Sequence, residues 1–322
     1  MGRVKLTFFE KHGKIEPLIR RLSSRLPIIK RFLKSKRKKP KRNLLSSSSD
    51  LKDWDNLKKT IESVVEQNDV VLIHSSSDGL NKIGISAQVC LTFLKNLIAT
   101  KKCTIVMPCF PVTNIKKTGA KIFLYNPKTT ICWTGLLPNL FLADSDCIRT
   151  SFPYNSLAAI GPLAKEMMEH SLESNYVYDK NSAWSYCLNH RAKILFLGVK
   201  ASESNTMAIH MLPDYMENEW PVDKWYEVKT YRVQLDDHTI DVSANIQRGI
   251  WYKYVMEEGT SGVLKTANIL KEERFGECNL GIVLDSILMM NFLKCRAKRG
   301  LLPYCIPKKY YKMSKQSNSN SK

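Results

Sequence analysis

Val70-Val-Leu-Ile-His74, followed by Ser75-Ser-Ser-Asp-Gly79, is the stretch that decides the fold. Four apolar residues run without a polar break, and three are β-branched. They stop at a cluster of small hydroxyl residues and a glycine. This pattern is a buried strand feeding a loop. Working outward, Ile85–Ile98 reads as a helix, and Cys103–Met107 as a second strand stopped by Pro108. Leu136–Leu142 reads as a helix and Lys193–Val199 as a third strand that closes at Gly198. On the N-terminal side, Asp50 or Asp53 caps a helix through Leu57, Ile61, Val64 and Val65. Strands interleaved with helices give a layered α/β core. Beyond Trp220 the period changes. Trp225–Val233 and Thr239–Val242 alternate apolar and polar residues around Asp236-Asp237-His238, an antiparallel hairpin. Helical stretches follow around Trp251–Glu258 and Ile282–Lys298.

The chain has 322 residues, 43% of them hydrophobic, enough for one large core or two smaller ones. No run of ~18 apolar residues occurs, and no compact hydrophobic leader opens the chain. The nine cysteines are scattered, without a Cys-x-x-Cys pair, and read as reduced core thiols of a cytosolic protein. The net charge of +20 is concentrated at the N-terminus. Residues 1–43 hold about fourteen of the excess positive charges, with only Glu10 and Glu16 opposing them.

Residues 1–49 therefore read as a basic arm, amphipathic to disordered, ahead of a folded domain at 50–313 and a polar tail at 314–322. Leu18, Ile19, Leu22, Leu26, Ile29 and Phe32 recur at helical spacing among arginines and lysines, and Lys34–Arg42 is almost purely basic. One reading is a solvated tail. The other is an arm that attaches to an anionic membrane surface, peripheral at its inner face. Nucleic acid ranks below both, because the arm has few aromatics to stack on bases.

Two segments carry candidate chemistry. His74, Ser75, Ser76, Ser77 and Gly79 form a strand-to-loop junction whose N–H groups suit an anion such as a phosphate. His210 titrates in the range a general base needs, and Asp214, four residues on, orients it if a helical turn joins them. Pro213 stands between them. Taken alone, a histidine in an apolar segment is more often a structural residue. No His-x-x-x-His spacing, phosphate-binding glycine loop, Gly-x-Gly-x-x-Gly or Gly-x-Ser-x-Gly is present, so no metal is expected and nucleotide hydrolysis, dinucleotide binding and serine hydrolysis lose support.

In series, several short motifs resemble the aminoglycoside 3-N-acetyltransferase family. They are Val71-Leu-Ile-His-Ser-Ser, Thr104-Ile-Val-Met-Pro-Cys-Phe110, Tyr125-Asn-Pro, Gly135-Leu-Leu-Pro-Asn139, Arg149-Thr-Ser-Phe-Pro-Tyr-Asn-Ser156, Ala158-Ala-Ile-Gly161, Ile194-Leu-Phe-Leu-Gly198 and Asn205-Thr206 through His210. The resemblance runs from about Asp69 to Leu288. It implies a mixed central sheet flanked by helices with the hairpin as an insertion, acetyl-CoA as donor, and a sugar amine as acceptor. It also implies CoA phosphates on the loop after the first strand, His210 as catalytic base, and Phe152 and Thr206 as residues lining the site. The chain departs from the family pattern in three places. Pro213 stands where a Glu is usual, Phe152 where a polar residue is frequent, and Ala244-Asn-Ile-Gln-Arg-Gly249 lacks an acid. With the basic arm, these departures favour an amino sugar of a surface polysaccharide, or a nucleotide- or lipid-linked precursor, over a polycationic antibiotic.

Overall fold

The computed structural model describes residues 5–25, 48–112, 123–173, 175–204 and 207–312. The expected strand forms as β1 (Val70–Ser75), at the middle of a seven-stranded mixed sheet. The others are β2 (Thr104–Pro108), β4 (Ile148–Arg149), β5 (Leu157–Ile160), β6 (Lys193–Leu197), β9 (Leu270–Phe275) and β10 (Cys278–Val283), in the order β4-β5-β2-β1-β6-β10-β9. The three interior strands β2, β1 and β6 are parallel, and the flanking pairs are antiparallel.

Period-two alternation sends neighbouring residues of β1 into two different cores. Val70 and Leu72 pack with Val106, Ile194 and Phe196 on one face. Val71 and Ile73 pack with Ile105, Leu195 and Leu197 on the other. Both faces are covered, which is why the central strands are apolar throughout rather than alternating. Helices Ser48–Val64 and Ala87–Lys101 supply part of the second core through Leu57, Ile61, Leu91 and Leu94. The latter is capped by Ser86, whose hydroxyl accepts from Val89 N at 3.2 Å.

The hairpin is longer than its sequence pattern indicated. β7 (Tyr226–Gln234) and β8 (Thr239–Gln247) pair along their full lengths, and β3 (Leu124–Tyr125) joins them in a second, three-stranded sheet. The alternation continues past Val242, with Ala244 and Ile246 buried between Ser243, Asn245 and Gln247. Two readings need correction. The segment 249–254 is a 3-10 helix, followed by an α-helix at Glu257–Thr266. Strands β9 and β10 occupy ground that held no expected strand, and the last long helix begins only at Ser286. Leu270-Lys-Glu-Glu-Arg-Phe275 is charged because it is an edge strand, and charge at an edge blocks unwanted pairing.

The N-terminal segment also differs from a free arm. Helices Phe8–Lys11 and Ile15–Arg25 lie on the domain. Thr7 and Glu10 form a reciprocal capping box. Gly13 meets Gly259 so closely that a Cβ on either would lie 2.6 Å from the other's Cα. The buried Glu10 pairs with Lys265. The expected amphipathic continuation through Leu26, Ile29 and Phe32, and the run Lys34–Arg42, lie outside the described residues.

Candidate active site

The parallel strands β1, β2 and β6 end on one side of the sheet, where loops diverge and leave a crevice. A cleft of about 540 Å³ occupies this position. His74 and Ser75 from the end of β1, Phe110 after β2, and Val199, Glu203 and Ser204 after β6 form its floor and one side. Trp133, Thr134, Tyr154, Asn155, Trp184 and Tyr252 complete the wall, and His210 faces it from helix Met207–Met216.

Pro213 lies inside that helix without ending it. A proline has no N–H for the carbonyl four residues back, here that of Ile209. The hydroxyl of Tyr304 donates to this carbonyl instead, at 3.3 Å. The same hydroxyl sits 3.1 Å from Nδ1 of His210. Gln247, at the end of β8, places Oε1 2.8 Å from Nδ1. With the Tyr304 proton directed at Ile209, Nδ1 carries the ring proton and donates to Gln247, and the lone pair resides on Nε2. Burial pushes the imidazole down to about 4, with the Gln247 bond opposing the shift. The ring is therefore neutral at physiological pH. Tyr252 packs against it, ring centroids 5.5 Å apart, and its hydroxyl meets that of Tyr154 at 3.2 Å.

Asp214 does not take the orienting position expected of it. One carboxylate oxygen accepts from the Tyr226 hydroxyl, the other from Tyr178 N at 3.2 Å. One helical turn does connect the two residues, but the carboxylate points toward the hairpin rather than toward Nδ1. It borders a small chamber behind His210, together with Tyr226, Asn245 and Gln247. Burial raises its carboxyl to about 7, against the two hydrogen bonds that favour the anion.

The loop after β1 divides into two groups. His74 and Ser75 line the cleft, whereas Ser76, Ser77 and Gly79 do not. Ser76 caps the short helix Ser77–Asn81, its hydroxyl accepting from Gly79 N at 3.3 Å. Gly79 is required for packing: a Cβ there would lie 1.8 Å from the carbonyl oxygen of Gly198. Gly198 in turn has φ +73, which favours glycine. His74 stacks on Phe196 with centroids 5.1 Å apart and planes 14° apart. Its Nε2 and the hydroxyls of Ser75 and Ser77 are buried without hydrogen-bond partners among the described residues. Burial pushes this imidazole also to about 4.

Phe152 is a second correction. It lies in the apolar core beside Leu157 and Trp184 and lines only a minor crevice, while Pro153 and Tyr154 reach the cleft. An apolar side chain at this position turns inward and hands the lining role to its neighbours. Thr206 lies outside the described residues. Gln247, Tyr304 and Tyr252 were not found from sequence. Their link to His210 spans 37, 94 and about forty positions, and no local pattern marks it. Among the described residues no group of His, Cys, Asp and Glu is placed to hold a metal ion.

A family model described as aminoglycoside 3-N-acetyltransferase matches residues 72–283. No curated protein sequence matches the chain. Among solved structures, the aminoglycoside acetyltransferase AAC(3)-Xa is similar with TM-score 0.63 and 15% identity, covering 77% of this chain and 93% of that one. AAC-IIIb bound to CoASH is similar with TM-score 0.62 and 13% identity, covering 77% and 97%. The AAC(3)-IVa apoenzyme gives 0.61 and 16%, covering 79% and 92%. At these identities the likeness is one of fold, a mixed sheet flanked by helices.

Proposed function

We propose, from the premise that this chain belongs to the aminoglycoside 3-N-acetyltransferase family, that it moves the acetyl group of acetyl-CoA to the amine of a sugar with His210 as general base. Acetyl transfer from acetyl-CoA to an amine follows from the family; the base and the sugar are the proposal. The observation that carries it is the cleft-lining His210, with Nδ1 held by Gln247 and Tyr304.

The chemistry constrains the order of events. An imidazole pushed down to about 4 cannot take a proton from an ammonium ion. The acceptor must therefore arrive as a neutral amine. Its lone pair attacks the thioester carbonyl, and the new C–N bond makes the nitrogen acidic. His210 takes that proton at Nε2 as the C–S bond breaks and CoA departs as a thiol, the proton returning to sulfur. His74 and Ser75, with polar atoms at the cleft floor, support a role for the end of β1 in holding the donor.

The acceptor side supports a sugar that is not a polycation. Among the described residues Glu203 is the one acidic residue lining the cleft, and burial pushes the Asp214 carboxyl in the chamber behind up to about 7. The wall is aromatic, with Trp133, Tyr154 and Tyr252, which suits the apolar face of a sugar ring. A surface-polysaccharide or nucleotide-linked amino sugar fits this wall better than gentamicin, apramycin or sisomicin, the ligands named for related structures. Attachment of residues 1–43 to an anionic membrane belongs to the same reading. Phe8, Leu18 and Ile19 are exposed on the docked helices. Among the described residues no helix is long and apolar enough to cross a membrane.

The test is mass spectrometry of products from acetyl-CoA supplied with a pool of glucosamine, UDP-glucosamine and kanamycin. Acetylated glucosamine or UDP-glucosamine is expected. Acetylated kanamycin alone overturns the acceptor assignment. No product and no thiol release would point to a family member that binds without turning over.

A further inference from the structure

The matched family region begins at residue 72, yet the N-terminal helices contact an element that lines the cleft. Arg20, in helix Ile15–Arg25, extends its guanidinium under the 3-10 helix Gly249–Tyr254. Nη1 donates to the carbonyl of Tyr252 at 3.0 Å and to that of Val255 at 3.3 Å. Nη2 is held by Glu16 at 2.8 Å and Glu257 at 3.0 Å. Glu16 also accepts from Glu258 N at 2.9 Å, tying the first turn of the next helix to the same cluster. Arg20 thus grips the backbone of Tyr252, whose ring packs on His210 and borders both the cleft and the chamber behind it.

A second thread reaches the opposite wall. Lys265 bridges the buried Glu10 and Glu272. Glu272 accepts from Ala201 N at 3.0 Å, two residues before Glu203 of the cleft. The close contact of Gly13 with Gly259, and of Gly262 with the Glu10 backbone, seats the segment too tightly for side chains to intervene.

We infer that the N-terminal segment is a brace for the active site, with Arg20 as a positioning residue that sets Tyr252 against His210 and the acceptor. The inference rests on the reading of this cleft as the active site. A bidentate guanidinium spanning two carbonyls and two carboxylates fixes the 3-10 helix in place, and a lysine cannot span them all. The wall that Tyr252 contributes is therefore shaped by residues outside the matched family region.

The experiment uses the full-length chain with Arg20→Ala and Arg20→Lys. The deciding readout is the Cε1–H resonance of His210, which senses the Tyr252 ring and needs no acceptor. Turnover of glucosamine with acetyl-CoA is measured alongside. Arg20→Ala is expected to move the His210 resonance while leaving that of His170 in place. It should also raise the KM for glucosamine about tenfold, since small displacements of positioning groups cost one to two orders of magnitude. The KM for acetyl-CoA should stay unchanged, and Arg20→Lys should fall between. A lowered Tm with the His210 resonance and both KM values unchanged overturns the inference, because the segment would then be a structural prop only. Should Arg20→Ala fail to fold, Glu257→Gln keeps the carbonyl bonds and loosens the anchor. It must shift the His210 resonance in part, and no shift overturns the inference. If the intact chain does not acetylate glucosamine, the acceptor reading fails while the resonance still decides the brace.

Discussion

His74 and His210 face the same cleft, and burial drives both imidazoles down to about 4. Their surroundings differ. His210 is held at Nδ1 by a glutamine from the hairpin and a tyrosine from near the C-terminus. His74 is held by stacking on Phe196, and its Nε2 meets no hydrogen-bond partner among the described residues. Burial alone does not make a base. The contacts that hold Nδ1 of His210 are what support the proposal that it, rather than His74, is the base. His74 has instead the profile of a polar group at the floor of a binding cleft.

The largest effect that separates the two is expected from loss of the proposed base. His210→Ala should lower kcat by about two to four orders of magnitude, the usual worth of a positioned base. Acetyl-CoA should still raise the Tm of that variant as it does in the intact chain. Near-normal kcat would erase the distinction between the histidines.

The next effect tests the orienting contact. Gln247→Leu removes the acceptor for Nδ1–H, a buried bond worth about 1–3 kcal/mol, and should slow turnover about 5- to 100-fold. Gln247→Glu sharpens the same point through pH. A carboxylate beside Nδ1 favours the imidazolium, so the acid limb of the kcat/KM profile should move to higher pH. An unmoved limb in that variant would mean that Gln247 does not govern the ring.

A smaller effect belongs to His74. His74→Phe keeps an aromatic ring over Phe196 and deletes both nitrogens. The KM for acetyl-CoA should rise several-fold, with kcat within about twofold, as expected for one lost hydrogen bond of about 1 kcal/mol. A collapse of kcat comparable to that of His210→Ala would break the comparison.

The smallest effect is on stability. An unfolded imidazole binds a proton below 6.5, whereas the folded rings resist it down to about 4. The unfolded state therefore holds more protons across this window, and stability falls as pH drops from about 6.5 toward 4. Asp214 runs the other way. Its folded carboxyl keeps a proton up to about 7, against 3.8 for the ordinary group, so its contribution is lost as pH rises through that interval. Tm measured from pH 6.5 to 4.5 should fall less steeply in His74→Phe than in the intact chain.

Sequence revealed what is local. The buried run of β1 was legible because a few consecutive residues carry the pattern. The order of short motifs exposed the mixed sheet. What escaped was set by contacts between distant residues. Asp214 was the natural partner for His210 because it is one helical turn away, yet the ring is held from the hairpin and from Tyr304. Pro213, which looked like an obstacle to the helix, exposes the Ile209 carbonyl that Tyr304 occupies. β9 was hidden by the charge that suits an edge strand. The docked N-terminal helices were hidden because their seat is made by Gly259 and Lys265, some 250 residues away.

The most direct measurement is the tautomeric state of His210, read from the 15N shifts of its imidazole at pH 7 in the full-length chain. The structure predicts a neutral ring with the proton on Nδ1 and the lone pair on Nε2, a state lost in Gln247→Leu. A ring protonated on Nε2, or an imidazolium at that pH, would contradict the assignment of His210 as the base.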